Sequence, residues 1–321
     1  MNKKLKLMGF SYLLLLTCMS IFWGLKFGSV SDADFSLIYQ LRLPRVLVAF
    51  AVGGLLAMAG ALLQVLTRNP LAEPSVLGVS GGASIGALSV LMAGGAGTIW
   101  VAGGAWLGAV SVLFILWLLV GSYAAQPTRL LLAGVMIATG CGAISSLMIA
   151  FASNAAMPGM IHWLMGDLDS VVSLDSVALV LGIWFFVFVI LVKLSPKIHL
   201  LQFGPDKALT LGINVSALQW VIVLISALCA AASVSIAGSI GFVGLLVPHV
   251  LRSIVVKRMG PDQTFLLPAS GLLGGAFLVL ADMLARTLIA PSQLPVGVIT
   301  ALIGVPSFLW LLSRLRNWSS L

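Results

Sequence analysis

The stretch LRLPRVLVAFAVGGLLAMAGALLQVLTRN, residues 41–69, decides the fold. Arg42 and Arg45 open it, Arg68 closes it, and nothing charged lies between Val46 and Thr67. A membrane-crossing helix needs about 20 apolar residues. An arginine at the bilayer centre costs roughly 2.5–3.5 kcal/mol on insertion scales, so the flanking arginines belong at the two interfaces. The stretch reads as one complete span with a basic residue at each mouth.

Working outward, the same pattern fills the chain. Hydrophobic residues make up 60% of the 321 positions and charged ones 8%, and the mean hydropathy is +1.16. Such a chain cannot cover a water-exposed surface with polar groups, which excludes a soluble enzyme or binding module. Apolar blocks fall at about 7–25, 43–66, 80–95, 99–123, 128–153, 176–194, 216–237, 242–254, 265–289 and 297–313. The expected fold is therefore all-α and polytopic, with about ten transmembrane helices, and residues 1–321 form a single transmembrane domain. The third and eighth blocks are short and glycine-rich, which suggests broken spans buried inside protein. The N-terminal block has the basic head of a signal peptide but ends in bulky IFWGL, and reads as a retained first span.

The formal net charge of +8 does not point to nucleic acid, because the 17 basic residues sit singly at the ends of apolar runs. They report topology instead. With a cytoplasmic N-terminus, ten spans put Lys3, Lys4, Lys6, Arg68, Arg129, Lys193, Lys197, Lys207, Arg252, Lys257, Arg258, Arg314 and Arg316 inside. Only Lys26, Arg42, Arg45 and Arg286 remain outside. Both termini are then cytoplasmic, and Arg42, Arg45 and Arg286 form an outward basic rim suited to carboxylates of a docking partner.

Small residues four apart, at Gly78, Gly82 and Gly86, at Gly104 and Gly108, and at Gly271 and Gly275, let helix backbones approach closely in lipid. The segment MPGMIHWLM, residues 157–165, reads as an amphipathic piece on the outer surface. The longest polar loop, 193–215, falls inside.

Catalytic patterns are weak. GVSGG at 78–82 matches G-x-S-x-G around Ser80, but it opens a helix in a chain without strands, and His249 is the one histidine that topology allows near it. His162, His199 and His249 lie on different segments and make no metal constellation, and Cys18, Cys141 and Cys229 read as small core residues. No phosphate-binding G-x-x-x-x-G-K-[ST] occurs, so any ATP-driven step needs another polypeptide. Asp282 and Arg286 are four apart and can pair on a helix face. An intramembrane carboxylate would also be the coupling residue of an ion-driven secondary transporter.

Eight segments carry a more specific likeness: LRLPR (41–45), residues 60–87, RLLLAGV (129–135), HWLMGDL (162–168), GSIGFVGLLVPHVLR (238–252), GPDQTFLLPAS (260–270), LADMLARTL (280–288) and residues 294–312. In these, and in their order, the chain resembles the FecCD-type permease subunits of iron-siderophore, haem and cobalamin ABC importers. The resemblance implies a homodimeric inner-membrane permease with two cytoplasmic ABC ATPase subunits and one periplasmic or lipid-anchored substrate-binding protein. It also implies that this chain binds no cofactor of its own, ATP and magnesium being held by the ATPase. Docking glutamates would meet Arg42, Arg45 and Arg286. The coupling segment would be 200–212, with Leu201, Gly204, Asp206, Lys207, Ala208, Leu211 and Gly212, where Pro205 replaces a more usual acid. A short helix is expected there, started by Gly204, Pro205 and Asp206 and stopped by Gly212. The cytoplasmic gate would use Asn69 and Leu71 with Pro127 and Thr128, and Asn69 could equally cap a helix. The resemblance implies that the cargo is a metal chelate such as a ferric siderophore, cobalamin or haem, with an oxyanion as the alternative within the same family.

Overall fold

A computed structural model describes residues 3–29, 38–95, 97–121, 127–168, 174–259 and 262–314. Helices dominate, and no strand occurs among the described residues. In chain order they are α1 (Lys3–Lys26), α2 (Leu43–Thr67), α3 (Val79–Met92), α4 (Thr98–Val120), α5 (Pro127–Ala150), α6 (Met157–Leu164), α7 (Leu174–Leu201), α8 (Pro205–Thr210), α9 (Val215–Ala237), α10 (Val243–Met259), α11 (Gln263–Thr287) and α12 (Val296–Arg314). A π-helical turn, Ile38–Arg42, leads into α2, and a 3₁₀ turn, Pro74–Leu77, leads into α3. Each of the ten apolar blocks carries a helix in its described residues. Seven helices, α1, α2, α4, α5, α7, α9 and α11, are long and apolar enough to cross a membrane, while α3, α10 and α12 offer shorter apolar stretches.

The helices divide into an inner and an outer set. In α2, 94% of the most apolar window is buried, against 17% in α1 and 22% in α5 and α7. Helix α2 is thus the central element, packed most closely on α11, with α9 also inside. The outer set shows large apolar side chains such as Ile99, Trp100, Met136 and Phe151 to its surroundings, a surface suited to lipid tails and not to water. Buried residues from Leu13 to Ile299 join in one contiguous core.

The glycine spacing does what close packing requires. A Cβ placed on Gly86 would overlap the carbonyl oxygen of Gly104, and one on Gly82 would overlap that of Gly108, so the α3 and α4 backbones meet along both stripes. A Cβ on Gly60 would land on the backbone of Gly244, where α2 crosses α10.

Two helix-breaking prolines are tolerated because neighbours take up the bonds they free. Pro196 has no N–H for the Val192 carbonyl, and the Ser195 hydroxyl donates to it at 3.0 Å instead. Pro248 likewise frees the Gly244 carbonyl, to which the Gln64 Nε2 donates at 3.3 Å. The first of these corrects the expected loop at 193–215: its first third, through Leu201, continues α7.

Helix α1 lies along α11 and is fixed at both ends. At its start Lys6 pairs with Asp262 at 3.0 Å. Asp262 is the N-cap of α11 and accepts the Thr264 N–H at 3.0 Å. Partial burial works to raise the Asp262 carboxyl, but the hydrogen bonds from Thr264 and Lys6 outweigh it and hold the group below the ordinary carboxylate range. A depressed folded pKa means a contribution complete above the unfolded value of about 3.9 and lost as pH falls through the folded one. Asp262→Ala is therefore expected to lower stability by about 1 kcal/mol at pH 7 and by less at a pH below about 3.9. Thermal unfolding of detergent-solubilised protein at the two pH values measures this.

Candidate functional site at the two ends of the bundle

The three arginines expected on the outside are brought together, but not as a free rim. Arg42 is 5% exposed, Arg45 7% and Arg286 3%. Arg42 Nη1 donates to the carbonyls of Leu25 and Lys26 at 3.1 and 3.0 Å. Arg286 Nη2 donates to that of Gly24 at 3.1 Å and its Nη1 to that of Phe27 at 3.4 Å. These are carbonyls of the last turn of α1 and its exit, which have no partner within their own helix and carry the negative end of its dipole. Two cations thus cap one helix C-terminus, a role that single-residue charge counting misses.

Between them lies Asp282, fully buried on α11. Its Oδ1 accepts Arg45 Nε at 2.9 Å, and its Oδ2 lies 2.9 Å from Arg286 Nε, off the axis of a hydrogen bond. The i,i+4 pair with Arg286 is the one the sequence suggested. The pair with Arg45, 237 positions away, is supplied by the packing of α2 on α11. Arg45 Nη1 reaches outward to the exposed side chain of Gln293, donating to its Oε1 at 2.8 Å. An aspartate held between two guanidinium groups has its charge already satisfied, which argues against a proton- or ion-coupling role.

At the far end of α2 and α11 stands α8. Helix α7 ends at Leu201, and Gly204 (φ 111°) turns the chain into Pro205–Thr210, after which Gly212 (φ 80°) releases it. This is the short helix expected from Gly204, Pro205, Asp206 and Gly212. Leu201 and Ala208 are buried and seat it on the bundle, while Asp206, Lys207 and Leu211 are exposed. Phe203, Leu209 and Leu211 together leave three large apolar side chains 56–62% exposed around one six-residue helix. Phe203 and Leu209 were not singled out from sequence, because only burial separates their role from that of ordinary loop apolars.

The residues expected from the sequence to form a cytoplasmic gate flank the same end. Asn69 caps no helix: its Oδ1 accepts the Leu71 N–H at 2.9 Å and forms an Asx turn that leads out of α2. Leu71 is 44% exposed and Thr128 is exposed at the start of α5, while the side chain of Pro127 lies outside the described residues. The 3₁₀ turn that follows packs on α5, where a Cβ on Gly134 would overlap the Val76 carbonyl. Glu73 was missed from sequence. Its Oε1 accepts the Phe242 N–H at 2.6 Å, tying the loop after α2 to the start of α10. Burial pushes this carboxyl above its ordinary range, against the hydrogen bonds from Phe242 and Ser75. A Cβ on Gly204 would come 3.9 Å from Arg68 Nη2, so α8 and the loop after α2 are neighbours.

Ser80 lies in the first turn of α3, entered from a 3₁₀ turn and not from a strand. His249 sits edge-on to Phe308 with ring centroids 6.5 Å apart, and no hydrogen bond joins Ser80 to a histidine among the described residues. No group of three metal-ligating side chains is found among the described residues either.

Among the described residues the chain is an all-helical bundle with seven helices long and apolar enough to cross a membrane, which defines its class as a multi-pass membrane protein. Residues 7–314 match the model of the FecCD transport family, and the chain belongs to that family of ABC transporter permeases. It is 37% identical over 298 residues to the vitamin B12 import system permease protein BtuC of Vibrio cholerae, covering 91% of this chain and 87% of that one. It is 37% identical over 308 residues to the hemin transport system permease protein HmuU of Yersinia pestis, again covering 91% and 87%. Among solved structures it superimposes on an inward-facing metal-chelate type ABC transporter with a TM-score of 0.86 and 29% identity, covering 96% of this chain and 99% of the other.

Proposed function

We propose that this chain is the permease of an importer that carries a metal chelate, such as a ferric siderophore, cobalamin or haem, across the bacterial inner membrane by alternating access. Two copies, each with ten spans counting the three short apolar helices, enclose the path. Both termini are cytoplasmic. A substrate-binding protein docks through carboxylates at the end that carries Arg42, Arg45 and Arg286. Two ABC ATPase subunits, holding ATP and magnesium, seat around α8 through Leu201, Gly204, Asp206, Lys207, Ala208, Leu211 and Gly212. Asn69, Leu71, Pro127 and Thr128 form the cytoplasmic gate.

The observation that carries this reading is the separation of the two constellations along continuous helices. Arg45 opens α2, and Arg68, just past its end, lies beside Gly204. A helix of 25 residues spans about 37 Å at 1.5 Å per residue, enough to place the constellations on opposite faces of a bilayer. Docking energy at one end and nucleotide energy at the other can then bias the same two-state bundle.

Sidedness tests it. In a variant with Cys18, Cys141 and Cys229 replaced by alanine, a new cysteine at Leu211 should react with a membrane-impermeant maleimide only from the cytoplasmic side. One at Leu288, 60% exposed beyond Arg286, should react only from the opposite side. Labelling of both from one side would refute the importer arrangement.

A further inference from the structure

Two partners of Arg45 differ in kind. Its Nε is bonded to the fully buried Asp282 at 2.9 Å, a charge-assisted contact in a site no partner can reach. Its Nη1 is bonded at 2.8 Å to Gln293, a neutral amide on an exposed side chain in the α11–α12 connection. A guanidinium is planar, so gripping the Nε edge fixes the direction in which the Nη edge faces. Asp282 is itself held from a second side by Arg286 at 2.9 Å and rides on α11, so the grip is stiff. A carboxylate oxygen and an amide oxygen present similar acceptor geometry to an N–H, but hydrogen bonds with a charged acceptor are roughly twice as strong.

Resting on the docking reading above, we propose that Gln293 is a placeholder. Its amide oxygen occupies the Nη1 edge of Arg45 in the undocked permease and yields it to a carboxylate of the binding protein. Asp282 is the positioning residue that keeps that edge facing outward during the exchange. The neutral acceptor satisfies a nearly buried donor while no partner is present, and it is weak enough to be displaced. A carboxylate at position 293 would hold the same edge too strongly to yield it.

The test titrates the cognate binding protein, without its lipid anchor, against the permease–ATPase complex in nanodiscs, and measures unfolding temperature on the same preparations. Gln293→Glu should leave stability unchanged or raised, yet weaken docking about tenfold or more, since the partner forfeits a charge-assisted bond. Gln293→Ala should dock as tightly as the native chain or more tightly. Asp282→Asn should weaken docking, and Gln293→Glu keeps the proposal testable if that variant fails to fold. A purely structural role for Gln293 predicts the reverse pattern, with Ala destabilising and docking indifferent to Glu. Native docking by Gln293→Glu, with docking lost in Arg45→Gln, would overturn the placeholder and leave the docking reading standing. Native docking by Arg45→Gln would overturn both.

Discussion

Replacing Gly60 by valine is expected to prevent the bundle from folding. A Cβ at this position falls on the carbonyl oxygen, carbonyl carbon and Cα of Gly244. Overpacking usually costs about 1–3 kcal/mol when side chains can yield, and more when they cannot. Here the obstacle is backbone, pinned further by the Gln64 bonds to the Gly244 and Leu245 carbonyls. The cost should exceed about 3 kcal/mol, a large share of the total stability of a typical domain. Gly182 is the control. It lies in α7, and a Cβ there meets nothing within 4 Å. Gly182→Ala should stabilise by about 0.5–1 kcal/mol, because alanine loses less backbone entropy in a helix. Size-exclusion profiles and thermal unfolding in detergent compare the two, and native behaviour of Gly60→Val would show the α2–α10 crossing to be wrong.

The double substitution Leu209→Asp and Leu211→Asp is expected to abolish uptake while leaving the permease itself intact. Both side chains are more than half exposed, so the isolated chain loses little packing and its unfolding midpoint should barely move. Burying a leucine contributes roughly 1.5–3 kcal/mol, and burying an unpaired carboxylate costs considerably more. An ATPase that seats on these residues should therefore bind at least about a hundredfold more weakly. Co-purification of the ATPase with tagged permease, scored beside uptake into cells, measures both effects. Undiminished co-purification would remove α8 from the contact.

What could be read from the sequence follows from the range of the forces involved. The seven helices of spanning length were legible because lipid imposes one requirement, a long apolar run, at every crossing. The short helix at 205–210 was legible because glycine and proline act within a few residues of themselves. Close approach at Gly82, Gly86, Gly104 and Gly108 was legible as a tendency, but not that these two stripes face each other. The structure brings the three arginines together at one end of the bundle, but their burial was not foreseen. It depends on the carbonyls at the end of α1 and on a carboxylate 237 positions from Arg45, and no local pattern encodes either. Glu73 escaped for the same reason, since its partner Phe242 comes from another helix entirely. The extension of α7 through Pro196 was hidden because proline signals a break unless a neighbour such as Ser195 takes the orphaned carbonyl.

Consider finally that α2, Leu43–Thr67, carries no proline beyond its first turn. A stiff strut of this kind needs no relay of rearranging side chains to carry a displacement from one mouth to the other. If its lower tip shifts with nucleotide, its upper tip shifts too, and thermodynamic reciprocity then applies. On the function proposed above, by whatever factor ATP alters the grip on a docked binding protein, that protein must alter the affinity for ATP by the same factor.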